Sequence, residues 1–219
     1  MPQPLRVLVV GQAPRPEVER QIALAVPGLP IRLEGALDGM TRDAIARDAA
    51  PRGDADTLFT VLPSGETAKI SKAAVTERLA GRLGDGGPAL LLCTGAFPGL
   101  PRRAGLVLPS EVLNALSAVL LPAGRLGLFV PVEEQVPVLT AGRARPGLEV
   151  VALPLTPLSE EEAVEAAARD MAARGPDLVV LDCMSYRRED KAVMARHLRC
   201  PILLSIEVAA RVAASLLSG

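Results

Sequence analysis

The stretch Pro176-Asp177-Leu178-Val179-Val180-Leu181-Asp182-Cys183 is a block of aliphatic residues between a proline and a cysteine. A second block, 88–93, also begins at a proline and ends in a cysteine. Strands that are buried on both faces, as in a parallel sheet, are continuously apolar instead of alternating. Further runs of this kind are Leu5–Val10, Leu126–Val130, Val150–Leu153 and Ile202–Ser205. The pattern predicts strands in parallel sheets.

Helical patterns separate these runs. The clearest begins at Ser159, with Glu162 three residues later as in a capping box, and ends before Gly175. Others are predicted at Pro16–Ala25, Ser71–Leu83, Ser110–Leu121, Glu189–Leu198 and Val208–Leu217. The alternation predicts the α/β class, with parallel sheets flanked by helices. Residues 57–70 differ, because turn residues separate two short strands, and we predict an appended β-hairpin there.

The two halves of the chain echo each other. The run Leu5–Val10 leads into a polar turn, as Leu126–Val130 does, and each half later ends a strand in a cysteine. We therefore predict two pseudo-symmetric lobes, residues 1–110 with 206–219 and residues 111–205. Ligands of open parallel sheets bind beyond the carboxyl ends of the strands, so an active cleft is expected between the lobes.

Composition excludes several classes of protein. The 24 Lys and Arg residues nearly balance the 25 Asp and Glu residues, so no nucleic-acid partner is predicted. The amino terminus lacks a signal-peptide pattern, and no apolar run approaches the roughly 20 residues of a membrane span. Three cysteines, an odd number, indicate reduced thiols. We expect a cytoplasmic protein, with helix 208–217 serving either as a homodimer face or as core.

The chemistry is predicted at Cys93 and Cys183. A thiol becomes a thiolate base or nucleophile when a helix N-terminus or a cation lowers its pKa from about 8.5. Two opposed thiols could take a proton from one face of a carbon and return one to the other. Buried cysteines also occur as small apolar core residues, so that alternative stays open. Cys200, at the entrance of a strand, is predicted to be structural.

Residues in the turns after the strands are candidates for binding a substrate carboxylate: Gln12, Arg15, Thr94, Gly95, Glu134, Gln135, Ser185 and Tyr186. Hydroxyls, amides and a guanidinium would hold the acid and stabilise an enolate-like charge. Alternatively, Arg15 is solvated in a rigid turn, and Glu134 only begins a helix. The single histidine, His197, has no cysteine or second histidine at metal-ligand spacing, so no metal is predicted.

Four segments together resemble the AroM family, in the right order along nearly the whole chain: Gly11-Gln12-Ala13-Pro14-Arg15, Asp38-Gly39-Met40-Thr41, Val130-Pro131-Val132-Glu133-Glu134-Gln135 and Leu181-Asp182-Cys183-Met184-Ser185-Tyr186. That family is similar to the aspartate, glutamate and hydantoin racemase superfamily. The resemblance implies two α/β lobes that present paired cysteines across a cleft. It also implies a reaction without cofactor or metal, on a small carboxylate-bearing molecule.

Three functions are compatible with this resemblance. The first is racemase- or isomerase-type proton transfer next to a carboxylate or carbonyl, with Cys93 and Cys183 as acid and base. The others are decarboxylation with a single reactive cysteine and non-catalytic, regulatory binding of a small acid linked to aromatic amino-acid metabolism. Asp182 stands where racemases have glycine, and its carboxylate is expected to raise the pKa of the Cys183 thiol unless it is paired within the sheet.

Overall fold

The computed structural model describes residues 4–84 and 87–217. The chain divides into two compact units, Met1–Ser110 with Ala209–Gly219 and Glu111–Val208. Each unit contains a four-stranded parallel sheet flanked by helices, and a small antiparallel hairpin is added to the first unit. The predicted α/β class, its parallel sheets and the hairpin are confirmed.

The strands of the first unit are, in chain order, β1 (Leu5–Val9), β2 (Ile31–Gly35), β3 (Thr57–Val61), β4 (Thr67–Ser71), β5 (Ala89–Leu92) and β6 (Leu106–Val107). The parallel sheet has the order β2-β1-β5-β6. Its central strands β1 and β5 are the predicted apolar runs, and Val9 pairs with Leu92 at their carboxyl ends. The apolar-run pattern does not predict β2, because β2 alternates apolar and charged residues.

The helices of the first unit are α1 (Pro16–Ala25), α2 (Arg42–Asp48), α3 (Lys72–Leu83), the beginning of α4 (Pro109–Leu120) and, from Ala209 on, the last helix of the chain. The hydroxyls of Thr41 and Ser71 cap α2 and α3, because each accepts a bond from a backbone N–H in the first turn. Strand β3 of the hairpin is buried along its whole length. Its Leu58 belongs to the same apolar cluster as Leu8 of β1 and Leu91 of β5. The hairpin is therefore part of the core of this unit.

The second unit contains β7 (Gly124–Val130), β8 (Leu148–Pro154), β9 (Leu178–Leu181) and β10 (Ile202–Leu204), in the order β10-β9-β7-β8. Its helices are the rest of α4, α5 (Gln135–Arg143), α6 (Glu161–Ala173), α7 (Arg188–Met194) and the first part of α8 (Ser205–Ser215). An apolar cluster that includes Leu113, Leu128 and Val180 forms its core. No helix within the described ranges is long and apolar enough to cross a membrane.

Both sheets follow one plan. In each, the first strand lies between the second and the third, and the fourth lies beyond the third. The second residue of the first strand is an arginine in both units. Arg6 donates to the carbonyls of Arg82 and Leu83 at the end of α3, and Arg125 donates to that of Arg174 at the end of α6. This shared arrangement is the pseudo-symmetry that the sequence echo predicts.

The predicted capping box at Ser159 is wrong. Helix α6 begins at Glu161, and its N-cap residue, Glu160, makes no side-chain cap bond. The Ser159 hydroxyl donates instead to the carbonyl of Thr156, at 2.6 Å. Leu158 has a φ of 67°, so the chain turns tightly just before the helix. The tight turn directs the hydroxyl to a local carbonyl instead of to the helix N–H groups.

Candidate functional site

Each predicted cysteine lies at the carboxyl edge of a parallel sheet, where its third strand ends. Cys93 directly follows Leu92, the last residue of β5. Cys183 follows β9 with one residue, Asp182, in between. Since all strands of a parallel sheet end at the same edge, the turns after β1 and β7 lie at these edges too. The cysteines thus follow equivalent strands, but Cys183 lies one residue further from the end of its strand than Cys93 does.

The Cys93 side chain is half-buried and packs against the apolar cluster of the first unit. The backbone N–H of Gly95 donates to its Sγ, at 3.4 Å. A hydrogen bond to sulfur favours the charged thiolate over the thiol. A Cβ atom at position 95 would lie 3.5 Å from this Sγ and from Leu58, and 3.7 Å from Phe97. Thr94, between them, is buried.

Gln12 and Asp38 connect the turns after β1 and β2. The amide nitrogen of Gln12 donates to the carbonyls of Leu37 and Met40, at 3.0 and 2.8 Å. The carboxylate of Asp38 accepts the backbone N–H groups of Ala13 and Gly35, both at 2.8 Å. The side-chain amide of Gln12, a predicted substrate contact, therefore donates to backbone carbonyls of this protein. Asp38 was not among the predicted site residues.

Arg15 is buried, with 3 % of its surface exposed. Its guanidinium forms an ion pair with Glu17, and its carbonyl accepts the N–H groups of Val18 and Glu19 at the beginning of α1. The alternative that Arg15 is simply solvated is therefore wrong. Its charge is held inside the turn after β1.

The loop after β9 is buried from Leu181 through Tyr186, and Cys183 retains 9 % exposure. The phenol of Tyr186 donates to the carbonyl of Leu155 after β8, at 2.5 Å. Burial, together with the neighbouring Cys183, Asp182 and Asp190, raises the pKa of Tyr186 well above its ordinary value of about 10. Tyr186 is thus a neutral donor that ties two loops of the second unit together.

Asp182 is completely buried and is paired with Arg143, the last residue of α5. Nη2 of the guanidinium lies 2.8 and 3.0 Å from the two carboxylate oxygens, and Nε lies 3.2 Å from one of them. Nη1 donates to Oδ1 of Asn114 on α4. The charge of the Asp182 carboxylate is therefore compensated. The sequence analysis expected Asp182 to raise the pKa of the Cys183 thiol unless it was paired, and it is paired. Sequence reasoning missed Arg143, because an arginine at the end of a helix is common and carries no signal of its distant partner.

The far side of this loop is held by Arg187. Its backbone N–H donates to Asp190 at 2.8 Å, and its guanidinium pairs with the same carboxylate. The guanidinium also donates to the carbonyl of Ser159, at 3.2 Å. The loop that carries Cys183 is therefore anchored at both ends by arginine–carboxylate pairs.

The remaining predicted contacts also lie at the carboxyl edge of the second sheet, in a loop or at the beginning of a helix. Glu134 is the N-cap residue of α5 and, like Gln135, is half-buried. Ser185 is buried, two residues after Cys183. Cys200 precedes β10 and so lies at the opposite edge, where burial, with a contribution from Asp177, raises the pKa of its thiol. In the part of the chain that the structure describes, His, Cys, Asp and Glu form no group of three that could hold a metal ion.

Comparison with known proteins identifies the family. The AroM protein family matches residues 5–217. A search of curated protein sequences finds no match. A glutamate racemase isoform from Bacillus anthracis has the same fold, with a TM-score of 0.61 and 14 % identity, over 98 % of this chain and 81 % of that one. For allantoin racemase from Klebsiella pneumoniae the TM-score is 0.57, the identity 17 % and the coverage 98 % and 88 %.

A cysteine-substituted arylmalonate decarboxylase, in its sulfate-associated form, is similar in the same way. Its TM-score is 0.56 at 18 % identity, over 99 % of this chain and 94 % of that one. These identities are low, so they establish the fold and leave the reaction open. The family match over nearly the full length establishes more: this chain, whose fold is like that of these racemases and of the decarboxylase, belongs to the AroM family.

Proposed function

We propose that this AroM-family protein transfers a proton at the carbon next to a carboxylate or carbonyl of a small acid, without a cofactor. Cys93 and Cys183 act as the two acid–base groups. One observation carries the proposal: in two sheets with the same strand order, the third strand is followed by a cysteine within two residues of its end. Racemisation and decarboxylation both pass through a carbanion next to a carbonyl group, and proteins named for both reactions share this fold.

The surroundings of the two thiols support acid–base roles. The N–H of Gly95 stabilises a thiolate on Cys93. Beside Cys183, the Asp182 carboxylate is compensated by Arg143, so it does not oppose ionisation as an unpaired anion would. Proton transfer by such positioned groups typically contributes about 10²- to 10⁴-fold to a rate.

We assign the substrate carboxylate to the loops that carry the cysteines. Thr94 and Ser185 supply hydroxyl and backbone N–H groups of the kind that stabilise an enolate-like charge, whereas the Gly95 N–H is bound to Sγ of Cys93. Glu134 and Gln135, which are half-buried, are assigned to the outer part of the site, and Arg15 is assigned to holding the turn after β1 through its ion pair with Glu17. Gln12 and Tyr186 receive supporting roles, because their donors bind backbone carbonyls.

Decarboxylation by a single cysteine is the second candidate. This candidate is favoured by the difference between the surroundings of the two thiols. Cys93 packs against an apolar cluster, whereas Cys183 is directly preceded in the chain by Asp182, which forms a buried ion pair. Reversible racemisation needs two groups that each donate and accept a proton. A decarboxylase needs one thiol to protonate the carbanion and an apolar region to destabilise the leaving carboxylate.

Isotope exchange tests the proposal. Small 2-substituted carboxylates and malonates are incubated with the protein in heavy water, and deuterium at the α-carbon and loss of carbon dioxide are followed by NMR. We expect exchange that Cys93→Ser and Cys183→Ser each reduce by about 10²-fold or more, and that the matched control Cys200→Ser leaves unchanged.

The outcomes separate the candidates. Carbon dioxide release that depends on only one of the two cysteines supports the decarboxylase. If small acids raise the melting temperature but no exchange or decarboxylation occurs, the protein is a non-catalytic acid-binding protein. Activity that survives both cysteine substitutions contradicts the proposed mechanism.

A further inference from the structure

The proposed function uses the buried Asp182–Arg143 pair only as charge compensation and assigns Arg143 no role of its own. Asp182 has no exposed surface and Arg143 has 5 %. Replacing such a pair by apolar residues of similar volume is often neutral or stabilising, so a buried salt bridge is weak evidence of a role in stability. Its position, directly before the cysteine in sequence, points to a role in the chemistry of the thiol.

We propose that Arg143 is a positioning residue that sets the reactivity of Cys183 by neutralising and orienting the Asp182 carboxylate. The proposal rests on the acid–base role proposed for Cys183. Arg143 itself does not contact the reacting atoms in this scheme. It acts through Asp182, whose backbone N–H is bound to the carbonyl of Phe129 at 2.8 Å and so continues the sheet into the loop.

The geometry fixes the guanidinium at both ends. One edge forms a fork on Asp182, and the remaining nitrogen donates to Asn114. Arginine differs here from lysine, because a planar fork holds a carboxylate in one orientation, whereas an ammonium group holds it only by charge. The carboxylate therefore keeps its position and its compensating charge whether or not the thiol is ionised.

Tyr186 and Asp190, which follow Cys183 in the chain, have partners of their own. Tyr186 stays protonated, since burial raises its pKa. Asp190 is paired with Arg187. The Asp182–Arg143 pair adjoins Cys183 in the chain and is buried with it. Removing Arg143 leaves an unpaired negative charge at Asp182, and removing Asp182 leaves an unpaired positive charge at Arg143.

The test measures thiolate formation directly. In a Cys93→Ala, Cys200→Ala background, Cys183 is the remaining cysteine, and its thiolate is titrated by ultraviolet absorbance. The chain has a single tyrosine, and its raised pKa keeps the tyrosinate signal out of the range. Arg143→Gln leaves the carboxylate uncompensated, and we expect the midpoint to rise by about one pH unit or more. Asp182→Asn leaves the guanidinium uncompensated, and we expect the midpoint to fall by a similar amount.

The opposite signs distinguish this role from a merely structural one. A structural role predicts that both single substitutions loosen the loop and move the midpoint in the same direction, toward that of an unstructured thiol. The double variant Arg143→Gln, Asp182→Asn is expected to return the midpoint close to that of the parent. Arg125→Gln, which removes an ion pair at the opposite edge of the same sheet, is the matched control and is expected to leave the midpoint unchanged.

If Arg143→Gln does not fold, Asp182→Asn decides the question alone, and an unchanged or raised midpoint overturns the proposal. Failure of the proposed function gives a different result. If the two opposite shifts are found but no acid undergoes exchange, Arg143 controls the thiol and the proton-transfer function is wrong. If exchange depends on Cys183 but the shifts are absent or of one sign, the function stands and the role of Arg143 is wrong.

Discussion

The carboxyl edges of the two sheets are built by different means. At the first edge, glycines allow the backbone to pass close to its neighbours: a Cβ at Gly11 would lie 2.1 Å from Oγ1 of Thr60. At the second edge, buried side chains hold the loop, with Asp182 bound to Arg143 and the Tyr186 phenol bound to Leu155. The strand order is the same, but the interactions around the cysteines are not.

This difference shows how far an internal repeat determines chemistry. The repeated strand order brings a cysteine to the same place in each half. The environment of each thiol is then set by residues that the repeat does not share, an apolar cluster for Cys93 and an ion pair for Cys183. Equivalent positions therefore do not imply interchangeable acid–base roles. Substitutions at four places test this contrast between a close-packed edge and a charged one.

The largest effect is expected from breaking the charged edge. Arg143→Met leaves the fully buried Asp182 carboxylate without its cation, which typically costs about 3–5 kcal/mol of the free energy of unfolding. The double variant Arg143→Met, Asp182→Leu removes both charges and is expected to recover most of that loss. Urea unfolding measures both. A loss as large in the double variant as in the single one would contradict the role assigned to the unpaired charge.

The next effect is expected at the close-packed edge. A methyl group at Gly35 would lie 2.3 Å from Oδ1 of Asp38 and 2.8 Å from the nitrogen of Ala13, and backbone atoms have little room to move. We expect Gly35→Ala to lower the free energy of unfolding by about 1–3 kcal/mol. Gly81→Ala on α3 is the matched control, since nothing lies within 4 Å of the added carbon there. That change is expected to stabilise the protein by about 0.5–1 kcal/mol, because glycine disfavours a helix interior.

A smaller effect is expected from the tyrosine at the charged edge. Tyr186→Phe removes the hydrogen bond to the Leu155 carbonyl, which is expected to cost about 1 kcal/mol in urea unfolding at neutral pH. An unchanged free energy of unfolding would show that water or another donor replaces the phenol.

The same variant has a pH signature. The folded state raises the pKa of Tyr186, so it retains the phenol proton more strongly than the unfolded chain does. The resulting stabilisation is fully present below the ordinary pKa of about 10 and is lost as the pH rises through the raised value. The wild-type protein should therefore lose stability above about pH 10 by a contribution that Tyr186→Phe lacks. Tyrosinate absorbance that appears before unfolding would contradict this.

The smallest change in stability is expected at Gly95. An added methyl would make ordinary contacts of 3.5–3.7 Å with Cys93, Leu58 and Phe97, so Gly95→Ala is expected to alter the free energy of unfolding by less than about 1 kcal/mol. The methyl lies beside Sγ of Cys93 and narrows the approach to it. We expect alkylation of Cys93, followed by mass spectrometry, to slow while alkylation of Cys183 in the same molecules is unchanged. Equal slowing of both thiols would contradict a local effect.

Elements that have a strong local pattern in the sequence are predicted correctly, whereas elements that lack such a pattern are not. The continuous apolar runs predict β1, β5, β7, β8, β9 and β10, because burial on both faces of a sheet demands such runs. The half-exposed β2 and the two-residue β6 lack this signal. Helix α5 is not predicted over its length, since its polar beginning and Pro137 weaken the helical pattern. The Ser159 capping box failed because a tight turn offered its hydroxyl a nearer acceptor.

By itself, the sequence determined the α/β class, the hairpin and the two strands that end in cysteine, because these depend on local hydrophobic periodicity and turn chemistry. Only the tertiary structure decided how each cysteine is surrounded. Asp182 and Arg143 are 39 residues apart in the sequence. Gly11 lies against Thr60, which belongs to β3 of the hairpin and not to the turn that contains Gly11. Such pairs depend on how elements pack, and a local pattern contains no information about the partner that packing will supply.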